Sequence, residues 1–70
     1  MAIETIQVAD ALACAVDGNY HDGLGVFLSA GAFLAKTGAG LTVVVTEPAD
    51  TPDEEETHRT FRFWGEEVRG

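Results

Sequence analysis

The sequence predicts a small α+β domain: two short helices packed on a small antiparallel sheet, built from a C-terminal hairpin with a possible third strand from residues 2–7. Three observations predict it. Apolar residues recur at helical spacing in the first half of the chain. Two runs rich in β-branched and aromatic residues, LTVVVT and THRTFRFW, fill the second half. At 70 residues the chain is one domain, residues 1–70, with a single core.

The first helix is expected over residues 8–16. At about 100° per residue, Ile6, Val8, Ala9, Leu12, Ala13 and Val16 fall on one arc, and Gln7, Asp10, Cys14 and Asp17 fall on the other. Asp17-Gly18 supplies a stop with glycine at C′. Residues 2–7, AIETIQV with Val8, also alternate as a strand would, so they read either as a short strand or as the first turns of that helix.

Residues 19–23, NYHDG, read as a loop. The second helix is expected over residues 24–36, with Leu24, Phe27, Leu28, Gly31, Leu34 and Ala35 on one face, Lys36 at the negative end of the dipole and Gly38 beyond it. This segment is apolar nearly all round and rich in small residues, which predicts burial on more than one side, one of them against another subunit.

Residues 41–46 form a strand, and residues 57–64 form its partner. In that partner Arg59, Phe61 and Phe63 point one way, and His58, Thr60, Arg62 and Trp64 the other. The expected core brings Val43, Val45, Phe61 and Phe63 against Leu12, Val16, Phe27, Leu28 and Leu34. Residues 65–70 read as a polar tail.

The connection between these strands, residues 47–57, is longer than hairpins need. It carries Glu47, Asp50, Asp53, Glu54, Glu55 and Glu56, six of the chain's twelve acidic residues and none of its four basic ones. Half of the acid therefore lies in one acidic hairpin loop of a chain whose net charge is -8. Pro48 and Pro52 stiffen the approach, and four consecutive carboxylates oppose sheet formation. Salt adaptation would spread the acid rather than concentrate it. The loop reads as a solvated tip that protects the hairpin from edge pairing, as a contact surface for a basic groove, or as a divalent-ion site. An extended chain advances about 3.3–3.6 Å per residue, close to the roughly 3.4 Å between phosphates of one DNA strand. Asp53 to Glu56 can thus imitate a few phosphates, not a duplex.

Arg62 and Trp64 add an arginine–aromatic pair of the kind enriched at protein interfaces. Other constellations fall short. Asp17-Gly-Asn19-Tyr-His21-Asp22-Gly23 places Asp22 where a calcium loop needs glycine, and Leu28 where it needs glutamate. Gly23 and Gly25 open a dinucleotide fingerprint that lacks its third glycine and a preceding strand. Cys14 is the sole cysteine, with Asp10 as its neighbour on the polar side of the helix. No Ser–His–Asp, HExxH or Walker pattern is present.

The reading is a non-enzymatic protein-binding module with no cofactor, an inhibitor or adaptor of phage or mobile-element profile. Its expected partner is a basic, nucleic-acid-binding surface of another protein. The contact residues are Glu47, Asp50, Asp53, Glu54, Glu55, Glu56, Arg62 and Trp64. The alternative is a structural self-assembling subunit in which the acidic loop is only a solvated tip. An enzyme would need a site shared between subunits, with Asp22, His21 and His58 converging. The charge and a pI near 4.3 disfavour direct binding to nucleic acid or to an anionic membrane. The first residues lack a basic segment followed by an apolar run, so no secretory signal is expected. The lone thiol suits a reducing, cytoplasmic setting. A core this small predicts a homo-oligomer.

Overall fold

The computed structural model describes residues 2–68. Helix α1 spans Thr5–Val16, followed by strands β1 Asn19–His21, β2 Val26–Leu34, β3 Ala39–Glu47 and β4 Thr57–Gly65. The strands form one antiparallel sheet in sequence order, β1-β2-β3-β4. Every connection is therefore a hairpin between neighbours, the shortest way to build a sheet.

Helix α1 begins three residues before the expected start and absorbs the segment that could have been a strand. Residues 2–4 join no sheet, so the possible third strand at residues 2–7 is not formed. The side chain of Gln7 accepts a hydrogen bond from the Glu4 backbone N–H at 2.7 Å, which closes the helix start. At the other end Asp17 N donates to Ala13 O at 2.8 Å. Gly18 then turns the chain at φ +76°, a left-handed conformation that favours glycine.

The second expected helix is a strand. Residues 24–36 contain β2, and the preceding NYHDG loop contains β1, so the domain has one helix and four strands. The physical reason lies in pairing. A helix over residues 24–36 would hold Gly31 in its interior, at about 1 kcal/mol relative to alanine. As a strand, β2 is hydrogen-bonded on both sides: to β1 from Asn19↔Leu28 to His21↔Val26, and to β3 from Phe27↔Thr46 to Leu34↔Ala39. It also places two phenylalanines on one sheet face.

The β3–β4 ladder is unbroken from Ala39↔Gly65 to Glu47↔Thr57. Gly65, the start of the expected polar tail, thus closes β4. The part of that tail at residues 69–70 lies outside the described residues.

Strand alternation divides the sheet into two faces. One carries Val26, Leu28, Ala30, Ala32 and Leu34, the last four opposite Val45, Val43, Leu41 and Ala39, with Arg59, Phe61 and Phe63 beyond. Helix α1 covers this face, but only above β2 and β3. Its N-terminal end shares a groove with Ala39 and Gly65, and its C-terminal end is tied to Leu28 and Ala30. Twelve helical residues reach about 18 Å, whereas nine strand residues reach about 30 Å. The β3–β4 hairpin therefore projects past the helix, and the molecule measures 51 × 21 × 18 Å.

The core is thin. Among the described residues the buried apolar side chains are Ala9, Ala13, Val26 and Ala39. Ala39 is 1% exposed and Ala13 4%, which marks the closest approach of helix and sheet. The expected core is only partly assembled. Phe27 lies on the opposite face from Leu28, a consequence of the strand period, and Leu12, Phe27, Leu34 and Phe63 remain exposed. Among the described residues, no helix is long and apolar enough to cross a membrane.

Candidate functional site

The acidic hairpin tip is built by the outward ends of β3 and β4. Glu47 is the last residue of β3, opposite Thr57, and residues 48–56 join the two strands. Glu47, Asp50, Asp53, Glu54, Glu55 and Glu56 are all exposed. The loop has some internal order: Glu54 N donates to Thr51 O at 3.1 Å, and Asp50 N donates to Glu54 Oε2 at 3.4 Å. His58 Nε2 lies 4.0 Å from Glu56 Oε2. Among the described residues, none of these six carboxylates is paired with a lysine or arginine. Their charge is presented to solvent at one end of an elongated molecule.

Arg62 and Trp64 are not part of that tip. They lie on the open face, at the far end of β4, five and seven residues beyond Thr57, or about 17 and 23 Å at strand rise. The structure thus divides the expected contact set into two places. What it brings to Trp64 instead is Phe33, from β2, two strands away. Their ring centroids are 5.0 Å apart in an edge-to-face arrangement at 89°, and the Arg62 guanidinium sits 5.7 Å from the Phe33 centroid. Gly40, on the intervening strand, makes this possible. A Cβ there would run into the Phe33 ring and would come within 2.6 Å of Phe63 O. The missing side chain lets Phe33 reach across β3 to β4.

Beside this cluster is an open depression of about 700 Å³, lined by Phe33, Lys36, Arg62, Trp64 and Glu66 among others. At the other end of the same face the rings of Tyr20 and Phe27 meet in a tilted arrangement, with centroids 4.8 Å apart and planes at 56°. Between the aromatic pairs lie Ser29, Gly31, Thr42, Val44 and Thr60, with no element over them.

The helix-bearing face has its own gap. Because α1 does not extend over β4, a groove of about 260 Å³ runs between them, lined by Val8, Leu12, Leu41 and Phe63. Leu12 is 52% exposed and Phe63 57%. Sequence reasoning missed the Phe33–Trp64 cluster and the Leu12–Phe63 groove. The signal was present in the alternation of residues 26–34, which a helical reading conceals.

The two sheet edges differ. At the β1 edge, Gly18 N donates to Leu28 O at 2.8 Å, and Asp17 Oδ1 accepts from Ala30 N at 2.9 Å. The short strand and the chain leaving the helix therefore occupy the backbone groups of β2. Among the described residues the β4 edge has no such cover, and all nine residues of the strand are exposed.

His21 and His58 stand on these opposite edges, about 14 Å apart at the usual strand spacing. The ring of His21 is engaged by Leu24 N at 3.1 Å, and that of His58 by Thr46 Oγ1 at 3.1 Å. Within one chain they do not converge with Asp22. Among the described residues, no three His, Cys, Asp or Glu side chains are grouped to hold a metal. Cys14 is exposed on the helix.

No protein-family model matches the chain, and neither a curated protein nor a solved structure does.

Proposed function

We propose that the protein is a non-enzymatic interaction module whose incomplete sheet is finished by another protein chain, with the acidic tip biasing the choice towards a basic surface. One observation carries this reading: the chain exposes far more surface than its mass requires. A compact monomer of 7.4 kDa exposes about 4,200 Å², whereas this chain exposes 5641 Å². Its radius of gyration is 14.9 Å, against about 11 Å for a compact domain of this length. The added surface includes Phe27, Leu12, Phe63 and Trp64, which are the side chains that bury well at interfaces. The tip supplies long-range attraction and orientation, while the apolar surface supplies affinity once contact is made.

Affinity capture from the native host tests the reading, comparing the wild type with a chain in which Asp53, Glu54, Glu55 and Glu56 are replaced by Ser or Gln. The expected result is a basic protein retained by the wild type, released by salt and not retained by the variant. Retention that neither neutralisation nor salt alters would remove the tip from this account.

A further inference from the structure

We propose that a second copy of this chain completes the sheet, pairing antiparallel along β4 to give a two-fold symmetric dimer with one continuous eight-stranded sheet. This rests on the reading that another chain closes the fold, and it names that chain.

The edge is suited to pairing. Sheets commonly protect their edges with charged side chains, proline, bulges, short strands or covering segments; of these β4 has only charge, from Arg59 and Arg62 on opposite faces. The β1 edge strand is only three residues long, and beyond it Asp17 holds the Ala30 N–H of β2. The β4 edge is nine residues long, unbroken in register, and free of proline and acidic residues. None of the twelve acidic residues of the chain falls on it.

Full-length pairing selects one register, and the side chains are compatible with it. With the two-fold axis at Phe61, all nine residues pair, from Thr57 opposite Gly65 of the second copy to Gly65 opposite Thr57. Arg59 then faces Phe63, Thr60 faces Arg62 and His58 faces Trp64, so no two like charges are directly opposed within the strands. An axis at Arg59 or at Arg62 would set arginine against arginine, which is destabilising. A one-residue slip would set backbone groups that point out of the β4 edge against groups already committed to the β3–β4 ladder, so no ladder could form. In the chosen register both helices lie on one face. The two grooves between α1 and β4 then become neighbours, with Phe61 and Phe63 of both copies at the centre.

The chain as a whole exposes about 1,400 Å² more than a compact monomer of its mass, against the roughly 800 Å² that a standard interface buries on each partner.

One contact opposes the dimer and gives it a signature. Just beyond the paired strands, Glu56 of one copy comes opposite Glu66 of the other, and each chain carries -8. Salt screens this repulsion. Association through β4 is therefore strengthened by salt, whereas association led by the acidic tip is weakened by it.

Sedimentation of the purified full chain tests the proposal. The expected result is a mass twice that of the chain, with a dissociation constant that falls when sodium chloride is raised. Phe61→Lys, which sets two ammonium groups face to face at the axis, should weaken the dimer at least tenfold. Because that variant can also disturb folding, cysteine cross-linking gives an independent measurement. In a Cys14→Ser background, Phe61→Cys should form a covalent dimer under mild oxidation, and Tyr20→Cys, on the β1 edge, should not. Three outcomes overturn the proposal: a folded wild-type monomer at every concentration and salt, a dimer that salt dissociates, or cross-linking at position 20 in preference to position 61. The first would leave the broader reading standing, with a different protein as the partner, and the capture experiment decides that separately.

Discussion

Strands β3 and β4 are equally long and paired to each other residue for residue, yet they are used differently. Strand β3 has β2 on one side, β4 on the other and α1 above part of it, and all but Glu47 of its residues are buried or half-buried. Strand β4 has one neighbour and no cover, and all nine of its residues are exposed. It nevertheless contributes Phe61, Phe63 and Trp64, as much apolar side chain as β3 does with Leu41, Val43, Val44 and Val45. Composition alone does not separate a core strand from a contact strand. The number of neighbours does, and β4 carries a core strand's side chains without a core strand's surroundings.

The comparison can be broken by substitution. The largest effect is expected at Gly40, on β3, where any Cβ meets the backbone of Phe63 and the ring of Phe33. Gly40→Ala should destabilise the fold by about 3 kcal/mol, as overpacking of a closed site does, and denaturant unfolding should give the same loss at every protein concentration. Phe63→Ser, on β4, should behave differently. Its cost should be about 1 kcal/mol when the protein is dilute, because the ring is already more than half in water, and should grow as concentration rises and the dimer forms. A concentration-independent cost at Phe63 equal to that at Gly40 would erase the distinction between the two strands.

A smaller effect, about 1–2 kcal/mol, is expected from Asp17→Ala, which leaves the Ala30 N–H of the β1 edge without its acceptor. Hydrogen exchange at Ala30 should accelerate while exchange in the β3–β4 ladder is unchanged. The smallest effect on stability, within about 0.5 kcal/mol, is expected from neutralising Asp53, Glu54, Glu55 and Glu56, since exposed charges far from packed groups contribute little. If thermal unfolding shifted more than Asp17→Ala shifts it, the tip would have a structural role beyond carrying charge.

Several features were legible in the sequence because they depend on near neighbours. Helix α1 follows from the spacing of Ala9, Leu12, Ala13 and Val16, and its end from Gly18. Strands β3 and β4 follow from LTVVVT and THRTFRFW, where β-branched and aromatic residues leave little choice. Strand β2 was misread because VFLSAGAFL satisfies two periods at once. Leu24, Phe27, Leu28, Gly31 and Leu34 fit a helix, while Phe27, Ser29, Gly31 and Phe33 fit one side of a strand, and short apolar runs are ambiguous in this way. The glycines at positions 23, 25 and 31 were the available signal against a helix. Of the expected contact residues, the six loop carboxylates do share one exposed tip, and Arg62 and Trp64 stand apart at the other end of β4.

By itself, then, the sequence determined where the charge lies, which residues form the apolar stripe of α1 and where that helix stops, and which two segments near the C-terminus are strands. Each of these depends on residues within a few positions of one another. Only the tertiary structure decided that β2 is a strand, that Phe33 crosses Gly40 to meet Trp64, and that one edge of the sheet is covered while the other is open. Those outcomes depend on hydrogen-bond partners and packing neighbours that are distant along the chain. A strand's fate is set by how many neighbours it acquires, and no local pattern counts them.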